Sequence, residues 1–269
     1  MKDEEILEAL SRSGYLLESE IAKNLSRMGY FVESNQTIKD PFTNKSREID
    51  LTAEYFGRYK PIRKRCATKI RYIFEIKNNI YPVVLLTEYQ YTPNSIFEDA
   101  WKAAQTIPND VIHDSTNEFH DYLFPAGVYT PLFTQYCSFQ KKKGSSEFMA
   151  IHPDELHEGL SKITQFAEEE IEFWNTDSEN ETFYRSFLYL PIVLLNDELY
   201  ELNIDEENNS VLKNVGVSRL MFNYHFNGHP KSAIVYFVTK AALDFFLEDM
   251  VKIEDLILEN MIKLHTSGV

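Results

Sequence analysis

Two acidic residues and a lysine on two strand-like segments are residue types that can carry out hydrolysis of a phosphodiester without a side-chain nucleophile. Apolar and polar residues alternate over 49–54, which is typical of a half-buried strand with Asp50 on its polar face. A second alternating run ends in Glu75 and Lys77, and residues two apart on a strand share a face. If the two strands pair, Asp50 and Glu75 meet with the ammonium group of Lys77 beside them.

These side chains suit a hard divalent cation. Mg²⁺ prefers oxygen ligands, usually one or two carboxylates together with water and substrate phosphate. A bound cation lowers the pKa of a water and stabilises the charge that develops around phosphorus. Lys77 can orient the attacking water or offset charge on the same phosphate. The same residue types also occur by chance on two solvated strands, so the surrounding elements decide how much the pattern means.

Helical and strand-like segments alternate along the chain, which predicts an α/β or α+β protein with a mixed sheet. The N-terminal spacing predicts a helical segment over about 4–28, broken at Gly14 and ended by Gly29. A short strand at 30–32 and a turn-rich stretch at 35–44 follow.

The second half of the chain contains two longer helical patterns and several strands. Asp154 can cap a helix that runs to about residue 174. The apolar runs 190–195 and 199–202 are predicted to pair as a hairpin across a short polar turn. The helix predicted over 241–264 has an apolar face that can serve either as core or as an interface.

The order of elements around Asp50 resembles that of the PD-(D/E)xK nuclease superfamily, which has the restriction-endonuclease-like fold. Within it, the chain is similar to the branch that carries an acidic residue on the first helix. The likeness covers about residues 14–79, and Ile49 rather than proline precedes the aspartate. The residues that carry it are Leu17-Glu18-Ser19-Glu20-Ile21-Ala22, Leu25, Gly29-Tyr30, Glu48-Ile49-Asp50-Leu51 and Phe74-Glu75-Ile76-Lys77.

The resemblance implies an α/β fold with a restriction-endonuclease-like core, in which a central mixed β-sheet is flanked by helices. We expect a single domain over 1–269, with the nuclease-like core in about 1–140 and an α+β extension in 141–269. Residue by residue, the resemblance makes Glu18, Asp50, Glu75 and Lys77 catalytic. The three acids would hold Mg²⁺, for which Mn²⁺ can substitute, and the lysine would assist the attack of water.

Two other acids are weaker candidates for the same roles. Glu20 lies two residues from Glu18 and therefore faces a different direction on a helix. Glu48 shares a strand face with Asp50 and is either part of a metal shell or a surface residue. Glu18 and Glu20 can each also be an ordinary solvated acid on the helix surface.

The segment between the two proposed catalytic strands is strongly basic. Residues 55–74 carry seven positive charges and no acid, and Tyr55, Phe56, Tyr59 and Tyr72 are interleaved with these charges. A basic, aromatic segment beside a metal site is typical of contact with a nucleic-acid backbone, although a solvated loop neutralised by acidic neighbours or a protein-binding loop has the same composition. Lys141–Lys143 form a second, smaller basic run. The candidate nucleic-acid-binding residues are Arg58, Lys60, Arg63, Lys64, Arg65, Lys69 and Arg71.

The net charge of −15 argues against a protein that coats nucleic acid with its whole surface. Because the basic segment contributes +7, the rest of the chain carries −22, so we expect weak non-specific DNA affinity that relies on a dimer, a partner or a narrow docking strip. The two cysteines indicate no disulfide framework. No apolar run is long enough to span a bilayer, and we expect a cytoplasmic protein without membrane contact.

The function expected from these residues is metal-dependent hydrolysis of DNA, with RNA as an open alternative. The resemblance also implies a place in bacterial restriction or anti-phage defence. One site cuts one strand, so cutting of both strands would favour a homodimer or a partner protein. The alternative from another class is a catalytically silent or partner-activated module that acts as the interaction subunit of a larger complex.

Overall fold

The computed structural model describes residues 2–39, 45–55, 66–89, 105–106, 131–177 and 184–267. Four helices lie in these ranges, and a 3-10 turn, Lys240–Ala242, precedes the last of them. The helices are α1 (Asp3–Ser13), α2 (Tyr15–Arg27), α3 (Asp154–Asp177) and α4 (Leu243–Ser267).

The described residues also form twelve strands of one large mixed sheet. In chain order they are β1 (Tyr30–Lys39), β2 (Ser46–Tyr55), β3 (Cys66–Lys77), β4 (Val83–Glu88), β5 (Gln105–Thr106), β6 (Phe133–Lys141), β7 (Phe148–Ile151), β8 (Tyr184–Leu195), β9 (Leu199–Ile204), β10 (Ser210–Val215), β11 (Val217–Phe226) and β12 (His229–Thr239).

The sheet has the order β1-β2-β3-β8-β12-β11-β6-β4-β9-β10, with β5 beside β8 and β7 beside β6. Pairing is antiparallel between β1, β2 and β3 and parallel between β3, β8 and β12. In the described residues, β11 and β6 are joined at one residue pair, Leu220 with Phe133, so the sheet consists of two parts linked at this point. The predicted α/β class with a mixed sheet flanked by helices is confirmed.

Helices cover both faces of the part of the sheet that contains β2 and β3. Leu17, Ile21 and Leu25 of α2 and Leu247 of α4 join a core cluster on one face. Leu160 of α3 belongs to the cluster on the opposite face, together with other apolar residues of the same helix. The first turns of α4 therefore form core, which is one of the two roles that its apolar pattern allowed.

The N-terminal helical segment is broken where the sequence predicted, at Gly14, which has a φ of 90°. The stretch predicted to be turn-rich differs over 35–39, because β1 continues to Lys39, and residues 40–44 lie outside the described residues. The pairing of β1 with β2 runs from Tyr30 opposite Tyr55 to Lys39 opposite Ser46. Asn35 takes a φ of 57° within this strand, a conformation that asparagine tolerates better than most residues. Cross-strand pairing thus overrides the local turn composition.

The predicted hairpin between 190–195 and 199–202 is wrong. β8 pairs with β3 along its whole length, from Cys66–Tyr184 to Lys77–Leu195, while β9 pairs with β4 and β10. The short link between β8 and β9 crosses from one part of the sheet to the other, and its Asn196 amide donates to the Lys77 carbonyl at 3.0 Å. Two apolar strands in sequence are compatible with either arrangement, and pairing with distant strands decides between them.

Strands from both halves of the chain lie side by side in the sheet. β8, from beyond residue 141, lies directly beside β3, and β12 lies directly beside β8.

Among the described residues, no helix is both long enough and apolar enough to cross a membrane.

Candidate active site

The end of the β2–β3 pairing fixes the position of Asp50. The paired residues run from Glu54–Arg71 to Leu51–Phe74, and Asp50 is the next residue beyond them on β2. Its carboxylate reaches across to β3, where the Ile76 amide donates a hydrogen bond to Asp50 Oδ2 at 2.7 Å. The second carboxylate oxygen, Oδ1, remains available for another group.

Glu75 faces α3 because of the alternation of β3. Phe74 and Ile76 lie in the core cluster with α2 and α4, so Glu75 and Lys77 project from the other face. Glu75 is almost completely buried, at 4 % exposed, whereas the Lys77 side chain is 24 % exposed. Lys77 Nζ lies 2.7 Å from Glu75 Oε1, which places an ammonium group between the buried acid and solvent.

Helix α3 contributes a residue that the sequence interpretation did not include. Lys162 Nζ lies 2.9 Å from Asp50 Oδ1 and 2.5 Å from Glu75 Oε2. Burial lowers the pKa of Lys162, but its ion pairs with Glu75 and Asp50 outweigh this, so the pKa lies above its ordinary value. Lys162 is therefore a charged bridge between the two strand acids.

The close approach of α3 depends on Gly159. A Cβ at this position would lie 2.6 Å from Glu75 Cδ, which is closer than real Cβ contacts. A glycine inside a long helix is costly relative to alanine, so it usually has a packing reason. This glycine is the sequence signal that could have identified α3 as part of the site, with Lys162 three residues later on the same side.

The junction between α1 and α2 positions Glu18. Asn78, directly after β3, donates to the carbonyl oxygens of Ser11 and Arg12 at 2.6 Å and 3.3 Å. A Cβ on Gly14 would lie 3.5 Å from Asn78 Cβ, so the junction lies against the end of β3. Glu18 lies in the first turn of α2, directly after this junction.

The charges around Glu18 show that it belongs to the same electrostatic environment. Burial raises the pKa of Glu18, and the negative charges of Asp50 and Glu75 raise it further. Lys162 and Lys77 act in the opposite direction, but the net pKa stays above the ordinary value. The structure thus brings Asp50, Glu75 and Lys77 together and adds Lys162, whereas Glu18 interacts with this group through its charge and is not part of a three-acid cluster.

The two weaker acidic candidates lie elsewhere. Glu20 is exposed, and its carboxylate lies 2.7 Å from the ammonium group of Lys240, which belongs to the 3-10 turn that precedes α4. Glu48 is exposed on β2. Neither is brought to the carboxylates described above.

Two of the seven basic candidates take part in ion pairs within the sheet. Lys69 and Arg71 lie on β3, and both contact Glu54 Oε1, at 3.3 Å and 2.7 Å. Arg71 also contacts Glu33 at 3.3 Å and Glu170 at 3.6 Å. The other five candidates, Arg58, Lys60, Arg63, Lys64 and Arg65, lie outside the described residues.

The smaller basic run lies at the β6–β7 connection. Lys141 ends β6, and Lys142 and Lys143 follow it as exposed residues. Lys142 pairs with Glu147 at 3.5 Å, an exposed contact that leaves most of the lysine surface in solvent.

The donor set has the chemistry of a magnesium site formed by few protein ligands. Among the described residues, no group of three or more His, Cys, Asp or Glu side chains lies close enough to hold a metal ion by itself. Two carboxylates with water and phosphate oxygens are nevertheless a usual Mg²⁺ environment. Glu75 Oε2 and Asp50 Oδ1 both contact the Lys162 ammonium group, so the positive charge that faces them is one that a cation could replace. The residues therefore fit Mg²⁺ if Lys162 moves.

Comparison with known proteins gives no further assignment. No family model matches the chain, and no curated protein and no solved structure matches it with statistical significance.

Proposed function

We propose that the protein is a metal-dependent nuclease that hydrolyses phosphodiester bonds of DNA. The single observation that carries this proposal is the convergence of Asp50 and Glu75 at the point where β2 and β3 stop pairing. Both acids contact one cationic group, Lys162 Nζ, so one oxygen of each carboxylate is directed at a common point. Such a pair is what a site for a divalent cation needs.

Each residue has a role that follows from its position. Asp50 and Glu75 would hold Mg²⁺, and Glu18 would add negative charge from the helix side. A cation bound there supplies an activated water and stabilises the charge around phosphorus. Lys77 is more exposed than the acids it accompanies, so its ammonium group can orient a water or a phosphate oxygen at the rim of the site.

The basic segment supports DNA as the substrate. It joins the two strands that carry Asp50 and Glu75, so its charges are covalently tied to the proposed site. The ion pairs of Lys69 and Arg71 with Glu54 direct these two residues to a structural role. Contact with the phosphate backbone is then assigned to the remaining five basic residues, with the Lys141–Lys143 run as a second point of contact.

Nicking of supercoiled plasmid by the purified protein tests this proposal. With Mg²⁺ or Mn²⁺, the wild-type protein should convert supercoiled DNA to the open circular form, because one site cuts one strand. Glu75→Gln and Lys77→Met should abolish nicking, whereas the control Glu20→Gln, in an exposed ion pair, should not. Equal activity of wild type and Glu75→Gln would identify a contaminant, and no cleavage of DNA or RNA with either metal would refute the nuclease proposal.

A second candidate function is a silent or partner-activated module, and Lys162 is the observation that favours it. The lysine compensates both strand acids within the protein, so the site is stable without a metal. In this case the wild-type protein would neither cleave nucleic acid nor bind Mn²⁺ in a calorimetric titration. Metal binding that disappears in Glu75→Gln would contradict a permanently silent site.

A further inference from the structure

The four carboxylate oxygens of Asp50 and Glu75 are divided between two sets of partners. The Ile76 amide engages Asp50 Oδ2, and the Lys77 ammonium engages Glu75 Oε1. The other two oxygens, Asp50 Oδ1 and Glu75 Oε2, both contact Lys162 Nζ. The oxygens that a metal would use are therefore those that Lys162 already occupies.

We infer that the Lys162 ammonium group and a divalent cation compete for these two carboxylates, so that metal binds only when this lysine leaves the site. The inference rests on the proposed function, because it takes Asp50 and Glu75 as the metal ligands. A Mg²⁺ ion at a ligand distance of about 2.0–2.1 Å from the same oxygens would lie against Nζ. A dication and an ammonium group cannot share that position without strong repulsion.

The surroundings of Lys162 make it a good internal cation. Its side chain is only 12 % exposed, and α3 approaches β3 closely because position 159 is a glycine. Lysine is a compact charge on a flexible stem, so it can fill the site and also move out of it. In the metal-free protein Lys162 thus stabilises two acids whose burial and proximity would otherwise be costly.

The competition also distinguishes the two lysines of the site. Lys77 contacts the Glu75 oxygen that is turned away from Lys162 and can remain there when a metal binds. Lys162 must leave both acids. Lys162 is therefore a positioning residue that lowers the affinity for metal, whereas Lys77 is the candidate for a direct role towards substrate.

Calorimetric titration of Mn²⁺ into the full chain tests this inference with a readout other than activity. Lys162→Met keeps a similar side-chain volume and removes the competing charge, so it should bind Mn²⁺ about tenfold more tightly than wild type, or better. Lys231→Met is the matched control. Lys231 lies on β12, and its ammonium group is 2.6 Å from buried Glu168, which belongs to α3 like Lys162. The Lys231→Met variant should bind Mn²⁺ as wild type does.

A labelling experiment on the wild-type protein avoids dependence on the fold of the variant. Acetylation by an amine-reactive reagent, followed peptide by peptide with mass spectrometry, should be slow at Lys162 and should become severalfold faster when Mn²⁺ is added. Acetylation of Lys231 should not change. Both rates unchanged by a saturating concentration of Mn²⁺ would overturn the inference, as would equal or weaker Mn²⁺ binding by folded Lys162→Met.

The outcomes separate this inference from the proposed function. If wild type binds Mn²⁺ and nicks DNA but Lys162→Met binds no more tightly, competition is refuted and the nuclease remains. If neither protein binds Mn²⁺ and neither cleaves nucleic acid, both are refuted. Tighter Mn²⁺ binding by Lys162→Met, with no cleavage of nucleic acid by either protein, would support competition at a metal site and refute catalysis.

Discussion

Gly159 of α3 lies directly against Glu75 of β3, so closely that a methyl group on the glycine would lie 2.6 Å from the carboxyl carbon. Glu75 cannot easily move aside, because it is buried and paired with Lys77 and Lys162. The contact therefore determines how near α3 comes to the candidate site, and with it the position of Lys162.

Gly159→Ala should destabilise the protein. Helix propensity alone predicts a gain of about 1 kcal/mol for this change. The clash with Glu75 should reverse the sign and give a net loss of about 1–3 kcal/mol in the free energy of unfolding, as overpacking does. Urea denaturation measures the difference, and a variant more stable than wild type would show that α3 can move away from β3.

Substitutions of Asp50 should separate its charge from its hydrogen bond. Asp50→Ala leaves the Ile76 amide without its acceptor and should cost about 1–3 kcal/mol of stability. Asp50→Asn keeps an oxygen for that amide and should be more stable than the alanine variant. Both should lose nicking activity, because neither has a carboxylate. A fully active Asp50→Asn would contradict a metal-binding role.

Arg71 should matter for stability rather than for DNA affinity. Its guanidinium contacts Glu54, which is 5 % exposed, and Glu33, so Arg71→Met leaves buried charge poorly compensated. We expect a loss of roughly 3 kcal/mol. Arg12→Met, in an exposed pair with Glu8, should cost less than about 1 kcal/mol. Thermal denaturation compares the two variants, and equal effects would contradict a structural role for Arg71.

The basic segment should determine the affinity for DNA. Replacing Arg63, Lys64 and Arg65 by glutamine removes three charges that we propose contact the phosphate backbone. DNA affinity should fall, and the slope of log K against log salt should become less steep by about 0.9 for each phosphate that the variant no longer neutralises. Fluorescence anisotropy at several salt concentrations measures both the affinity and the slope. An unchanged slope would assign these charges to another partner.

Glu18 should make stability depend on pH in a defined direction. Because burial and the nearby acids raise its pKa above the ordinary 4.5, the folded state holds the proton more tightly than the unfolded state. Ionisation of Glu18 therefore favours unfolding as the pH rises above the unfolded-state value. Without metal, Glu18→Gln should raise the melting temperature at neutral pH, and this gain should vanish at pH values well below 4.5.

Glu20→Gln is the control for this experiment. It removes an exposed ion pair with Lys240, so it should give no gain in melting temperature at neutral pH. Equal gains in the two variants would point to relief of general negative charge instead of a local effect at Glu18.

The sequence by itself determined the local features of the candidate site. Alternation along a strand places Glu75 and Lys77 on one face, since successive side chains of any strand point to opposite sides. Glycine at 14 interrupts the N-terminal helical pattern for an equally local reason, its positive φ. These features depend only on residues that are adjacent in the chain, so the sequence pattern alone predicts them.

Tertiary structure decided the rest. Lys162 lies 112 residues from Asp50, and its contact depends on how α3 packs over β2 and β3. The helical period shows which face of α3 is apolar, but not which strands that face will cover or where along them it will lie. The pairing of β8 with β3 was undetermined for the same reason, because an apolar strand can pair with any compatible edge. Burial of complete surfaces, rather than the preference of any one segment, selects among these arrangements.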